Sequence, residues 1–218
     1  MVGASGVRPP RGDDGRCVPP QRRGRVVWLL GLLWLLGAWH VGSAGAIDVR
    51  WVDEVKLGVL SHDNALWGLG HHVEPGADLN VEVLGPSPAF LQGLWAPRPH
   101  LGFSVNTAGA TDYGYLGLTW RGRPWRPLLP LLEGLFVAGS LGGAIHDGYL
   151  NTAPPEHKLL GTRLLFRYSL EGGYQLTRGV NVSFMLDHLS NGHVVRHNQG
   201  LNELGVRIGL SRFPRISW

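Results

Sequence analysis

The feature that most constrains this chain is a period of two. Beyond Val41, apolar and polar side chains alternate over runs of eight to ten residues, and Gly, Pro, Asp or Asn break each run. Successive side chains of a strand point to opposite faces, so each run reads as a strand with one apolar face. Eight such segments lie near 49–60, 77–84, 100–107, 113–121, 133–145, 161–176, 179–191 and 201–213. In the second, Leu79, Val81 and Val83 alternate with Asp78, Asn80 and Glu82. In the seventh, Val180, Val182, Phe184 and Leu186 alternate with Asn181, Ser183, Met185 and Asp187. In the last, Leu204, Val206, Ile208 and Leu210 alternate with Glu203, Gly205, Arg207 and Ser211. No stretch after Val41 approaches the ~18 apolar residues of a membrane helix. Glycine is spread throughout, which disfavours long helices.

Two architectures produce eight alternating strands. A soluble barrel or sandwich hides the apolar face inside, whereas an outer-membrane barrel turns it to lipid and fills its interior with polar and small residues. The polar face here carries long charged side chains, Glu54, Lys56, Arg163, Arg167, Glu203 and Arg207, which could pair inside an eight-stranded barrel. Aromatic residues fall near strand ends (Trp51, Trp120, Trp125, Tyr149, Phe213, Trp218), where an interfacial girdle would want them. The pattern favours an all-β fold, an eight-stranded antiparallel transmembrane barrel of the outer-membrane type.

Charge first points elsewhere. The net charge of +4 suggests a nucleic-acid or anionic-membrane binder, but six arginines and two aspartates in residues 1–25 account for the whole excess. Residues 26–43 carry no ionised side chain, and Ala44-Gly45-Ala46 is an A-x-A cleavage signal. Residues 1–46 therefore read as an N-terminal extension with a secretory signal peptide, cleaved after Ala46. The long basic stretch before the apolar core predicts a start codon downstream of Met1. Residues 47–218 then form one domain with no net charge and no Cys, because Cys17, the single cysteine, lies in the leader. A nucleic-acid partner loses its support, and an exported chain without Cys fits a bacterial envelope.

The densest polar constellation is Asp187-His188-Leu189-Ser190-Asn191-Gly192-His193, followed by His197-Asn198-Gln199-Gly200-Leu201-Asn202-Glu203. His188 and Ser190 share the even face with Val182, Phe184 and Leu186, so a base and a nucleophile would continue the apolar stripe. On the last segment Asn202 shares the even face with Leu204, while Glu203 shares the other face with Arg207. Parity favours Asn202 over Glu203 as the group that orients His188, unless a bulge near Gly200 shifts the register. Gly192, His193 and Asn198 are candidate oxyanion donors. On spacing alone, most such pairs are surface polar residues at a strand end.

Residues 184–213, FMLDHLSNGHVVRHNQGLNELGVRIGLSRF, resemble the signature of the lipid A 3-O-deacylase (acyloxyacyl hydrolase) family of Gram-negative outer membranes. That signature runs His-x-Ser-Asn-Ala-Gly, then Asn-x-Gly-x-Glu, then a closing strand ending in Phe. His188, Ser190 and Asn191 match its first part, and Asn198 and Gly200 its second. Pro130-Leu131-Leu132-Glu133-Gly134 is similar to the family's Pro-x-x-Glu. The resemblance implies an eight-stranded barrel with a lipid-facing triad. Ser190 would be the nucleophile, His188 the base, and Asn198 with a backbone N–H after Ser190 the oxyanion hole. The substrate would be lipid A in lipopolysaccharide, losing the ester-linked acyl chain at position 3, with no cofactor and no metal. There are two departures from the pattern. Asn202 stands where the family has its acid, with Glu203 next to it, and Gly192-His193 replaces Ala-Gly.

Three other features are weaker. His188, His193 and His197 have the look of metal spacing but straddle a strand end and a loop. Arg121, Arg123 and Arg126 with Trp120 and Trp125 read either as a contact with lipid phosphates or as an interfacial turn. His71-His72 reads as a solvated turn. The alternative to an esterase is a small outer-membrane barrel with a structural or adhesive role.

Overall fold

The computed structural model describes residues 51–65, 73–123 and 132–211. The leader, Cys17, His71-His72, Trp125, Arg126, Pro130, Leu131, Phe213 and Trp218 lie outside the described residues. Eight antiparallel strands close on themselves in chain order. They are β1 (Glu54–Ser61), β2 (Ala77–Leu84), β3 (Arg98–Asn106), β4 (Tyr113–Gly122), β5 (Leu135–His146), β6 (Leu164–Gln175), β7 (Val180–Ser190) and β8 (Leu201–Ser211). A six-residue 3₁₀ helix (Ala89–Leu94) lies between β2 and β3. The ring closes where β1 pairs with β8, from Glu54 opposite Ser211 to Ser61 opposite Leu204. Every alternating segment is thus a strand. The first begins five residues later than its alternation implies, at Glu54 rather than 49.

The alternation runs apolar outward. On β6, Leu164 and Phe166 are 71% and 61% exposed while Arg167 is 1% exposed. Leu79, Leu101, Leu116, Leu141, Phe184 and Val206 continue this exposed belt around the barrel. Such a belt in water would be a severe liability, and facing hydrocarbon it is the expected surface of an outer-membrane barrel.

Inside, charges occupy the space that a soluble barrel would fill with apolar side chains. Lys56 Nζ donates to Glu171 Oε2 at 2.7 Å, and Arg207 shares the same carboxylate. Arg207 also lies 3.3 Å from Glu82. Arg167 Nε donates to Asp187 Oδ2 at 2.8 Å and stacks over the Tyr115 ring at 3.7 Å. Buried charges persist only when paired and hydrogen-bonded, and this chain of alternating signs meets that condition. Two expected roles change. Arg163 precedes β6 and is exposed, donating to the carbonyls of Gly148 at 2.7 Å and His146 at 3.2 Å, so it belongs to a loop and not to the interior network. Arg121 faces inward on β4, donates to Gln175 Oε1 at 2.7 Å and sits over Phe136, so it does not reach lipid phosphates.

Residues 62–65, 73–76, 107–112, 147–163 and 191–200 share one end, called the upper end. Residues 85–97, 123, 132–134 and 176–179 share the lower end. Near the upper end a small apolar cluster fills the barrel (Tyr113, Tyr115, Ala144, Leu165, Leu189, Leu201), and Leu160 from the 147–163 loop caps it.

Candidate functional site

β7 and β8 position the site. Their register places His188 opposite Asn202, Asp187 opposite Glu203 and Leu189 opposite Leu201, with no bulge in the paired residues. His188 and Asn202 therefore share the outer face. His188 Nδ1 lies 2.5 Å from Asn202 Oδ1. An amide oxygen only accepts, so His188 Nδ1 is the donor in this bond. On the other side, β6 sets Tyr168 opposite His188, and their rings lie 4.7 Å apart with 32° between planes. The imidazole is thus held between a ring and an amide across three strands.

Ser190 follows on the same face, half-buried like His188. Both line an open groove of about 440 Å³ with Tyr168, Gly192, His193 and Asn198. Gly200 closes one side of it. A side chain there would approach His188 Cε1 to 3.4 Å, and its φ of +59° also favours glycine. After Ser190 the chain turns through two successive left-handed residues, Gly192 at φ +63° and His193 at +61°. The position the family pattern gives to glycine is left-handed here while holding a histidine.

Asn198 is tied in at its oxygen, which accepts the Asn191 N–H at 2.9 Å. Its Nδ2 lies 3.2 Å from His193 Nδ1. The N–H directly after Ser190 is therefore already engaged, which is a difference from the oxyanion arrangement the resemblance implies. Asn191 itself is buried and donates to the carbonyls of Leu160 at 2.9 Å and His197 at 2.5 Å. His193 and His197 do not join His188 in any ligand cluster among the described residues.

Glu203 goes the other way. It is 1% exposed inside the barrel, where Tyr113 Oη donates to its Oε2 at 2.7 Å. Beyond the end of β1, His62 Nδ1 meets Asp78 Oδ2 at 2.8 Å and its Nε2 meets Glu74 Oε2 at 3.0 Å. Burial alone would pull the His62 pKa down; the carboxylates of Asp78, Glu203 and Glu74 outweigh it and push the pKa up to about 12. For Glu74 burial again opposes ionisation, and His62 with the Lys158 N–H holds its carboxyl below the ordinary 4.5. His62, Asp78 and Glu203 bring ligand atoms within 4.8 Å of one another. Both imidazole nitrogens are already bonded to carboxylates, so the cluster is an imidazolium clamp rather than a ligand set.

Sequence reasoning did not single out Lys158 or Tyr168, nor the bond that Gln199 makes. Lys158 pairs with Asp63, donates to the Gly200 carbonyl at 2.8 Å, and gives its N–H to Glu74 at 2.8 Å. Gln199 Oε1 accepts from Leu159 N at 2.6 Å. These bonds fasten three upper loops around the groove. Lys158 lies in irregular chain with no periodicity to signal it, whereas Tyr168 lies on the outward face of β6 and meets His188 only through the strand register.

The lipid A 3-O-deacylase (PagL) family model matches residues 111–211. This is the family that the closing motif resembles. The crystal structure of the outer membrane enzyme PagL superposes with a TM-score of 0.52 at 12% identity, covering 73% of this chain and 99% of that one. It shares the closed eight-stranded barrel. Neisserial surface protein A (NspA) gives a TM-score of 0.41 at 11% identity, over 73% of this chain and 96% of its own. No curated protein matches the sequence.

Proposed function

We propose that this protein is an outer-membrane serine esterase that removes the ester-linked 3-O-acyl chain of lipid A, after export through a signal peptide cleaved at Ala46. The observation that carries this reading is the outward-facing bond from His188 Nδ1 to Asn202 Oδ1, with Ser190 beside it in the same groove. Three polar groups at the end of an apolar belt gain nothing from lipid. They sit where the ester of a lipid embedded in the same leaflet would lie.

In this mechanism Ser190 Oγ attacks the ester carbonyl and its proton passes to His188 Nε2. Asn202 holds the imidazole in the tautomer that leaves Nε2 free. Asn198 Nδ2 and the N–H groups of the Gly192-His193 turn stabilise the oxyanion. The imidazolium gives the proton to the departing sugar oxygen, which leaves as the free hydroxyl, and an acyl-serine remains. His188 then takes a proton from the water that attacks this ester and returns it to Ser190 Oγ as the fatty acid departs. An amide orients an imidazole but stabilises imidazolium less than a carboxylate does, so turnover is slower than with an acid at position 202.

Mass spectrometry of lipid A from cells with and without the expressed protein tests the reading. Loss of one 3-hydroxyacyl group on expression supports it. Unchanged lipid A would favour the structural or adhesive barrel.

A further inference from the structure

The lower end carries an apolar surface that the site does not use. In the β2–β3 connection, Ala89–Leu94 forms a 3₁₀ helix of sequence AFLQGL, and none of its residues is buried. It contains no charge. Phe90 is 82% exposed, and Trp95, which follows the helix, is 88% exposed. Large aromatic side chains clustered this way on a soluble surface mark an interaction site.

The backbone is built to hold them out. Trp95 and Ala96 are left-handed, at φ +61° and +52°, an uncommon conformation for residues other than glycine. The Ala96 N–H returns to the Leu91 carbonyl at 3.2 Å and closes the turn. Trp120, on the outer face of β4, donates its indole N–H to the Leu94 carbonyl at 2.8 Å. The helix is thereby fixed beside the barrel wall at the level where the lipid-facing belt ends, and its apolar side chains continue that belt.

We infer that this connection is a membrane foot, which lies in the interfacial layer of the lower leaflet and inserts Phe90 and Trp95 among phospholipid chains. The occupant is a lipid surface rather than a protein for two reasons. The patch is continuous with the lipid-facing wall through Trp120. Its chemistry, aromatic and aliphatic without charge, matches the interface, where Trp is favoured and short apolar faces bury about 5–10 Å deep. The helix is too short to hold itself together in water, and lipid supplies the packing that the barrel does not. The inference is independent of the esterase reading.

Spin labels test it in the full chain carrying Cys17→Ser, refolded into phosphatidylcholine–phosphatidylglycerol vesicles. Single cysteines replace Phe90, Trp95 or Gln92, which lies on a different face of the same helix. Heat-modifiable gel mobility checks that each barrel is folded. Labels at 90 and 95 should relax several-fold more with oxygen than with a water-soluble nickel chelate, relative to the label at 92. Equal nickel access at all three positions would place the helix in water and overturn the inference. Exclusion of both reagents at 90 and 95 would mean that protein covers the patch, which overturns it as well.

Discussion

Asp187 and His188 are chain neighbours, as are Asn202 and Glu203, yet the two faces of this strand pair do opposite things. Asp187 and Glu203 point inward, where Arg167 and Tyr113 hold them. His188 and Asn202 point outward and hold each other. One step along a strand thus separates a structural network from a candidate reaction centre. The inner face keeps its charges by pairing them with opposite charges inside the barrel. The outer face keeps its polar groups at the margin of the belt, where loops 147–163 and 191–200 wall off a groove. Chemical type does not assign a role here; the face does.

The largest effects break the comparison by removing neighbours. His188→Ala should lower hydrolysis about 10²–10⁴-fold, the range of a lost general base, with the barrel as stable as before. Asp187→Ala should do the reverse, costing about 3–5 kcal/mol of stability by leaving Arg167 without its nearest carboxylate. Steady-state rates set beside thermal unfolding in detergent check both. A variant that moved both quantities equally would erase the distinction between the faces.

The second pair is sharper. Asn202→Ala removes a hydrogen bond to a group that becomes charged, worth about 1.5–3 kcal/mol, and should slow turnover by roughly 10–150-fold. Glu203→Ala should change kcat far less while weakening the barrel. Asn202→Asp should raise kcat above wild type by restoring a carboxylate beside His188. The opposite order in a kcat comparison would mean that the inward carboxylate serves the site.

The upper loops should respond to pH. His62 has a folded pKa of about 12 against an ordinary 6.5, so its contribution is full below about pH 6.5 and is lost as pH rises toward 12. Glu74, held below 4.5, contributes above that value and loses its contribution as pH falls. Protease resistance of the upper loops should therefore peak between about pH 4.5 and 6.5. His62→Gln should flatten the alkaline limb.

The smallest effect concerns the turn after Ser190. His193 holds a left-handed φ of +61°, so His193→Gly should stabilise the fold by about 1 kcal/mol, read as a rise in unfolding temperature.

Much of this was legible in the sequence because strands of period two in a barrel have only two faces. Eight alternating segments were enough for eight strands, and the parity of residues 182 to 188 and 202 to 206 was enough to put His188 and Asn202 on one face. That step required an unbulged register, which the β7–β8 pairing has. Loops carry no such periodicity. Lys158 and Gln199 reach the groove through tertiary hydrogen bonds that no local pattern encodes, and the Asn191 N–H is engaged by a side chain seven residues away. Arg163 was misplaced because the alternation runs on upstream of the true start of β6 at Leu164, and the carbonyls that it caps lie at the other end of the same connection, at the end of β5 and just after it.

The most direct measurement is release of 3-hydroxy fatty acid from lipid A by purified, refolded protein and by its Ser190→Ala variant. Wild-type protein should release it, and Ser190→Ala should release none above the no-enzyme background while keeping the folded gel mobility. Equal release by both proteins would remove Ser190 from the chemistry and contradict the outward Ser190–His188–Asn202 site.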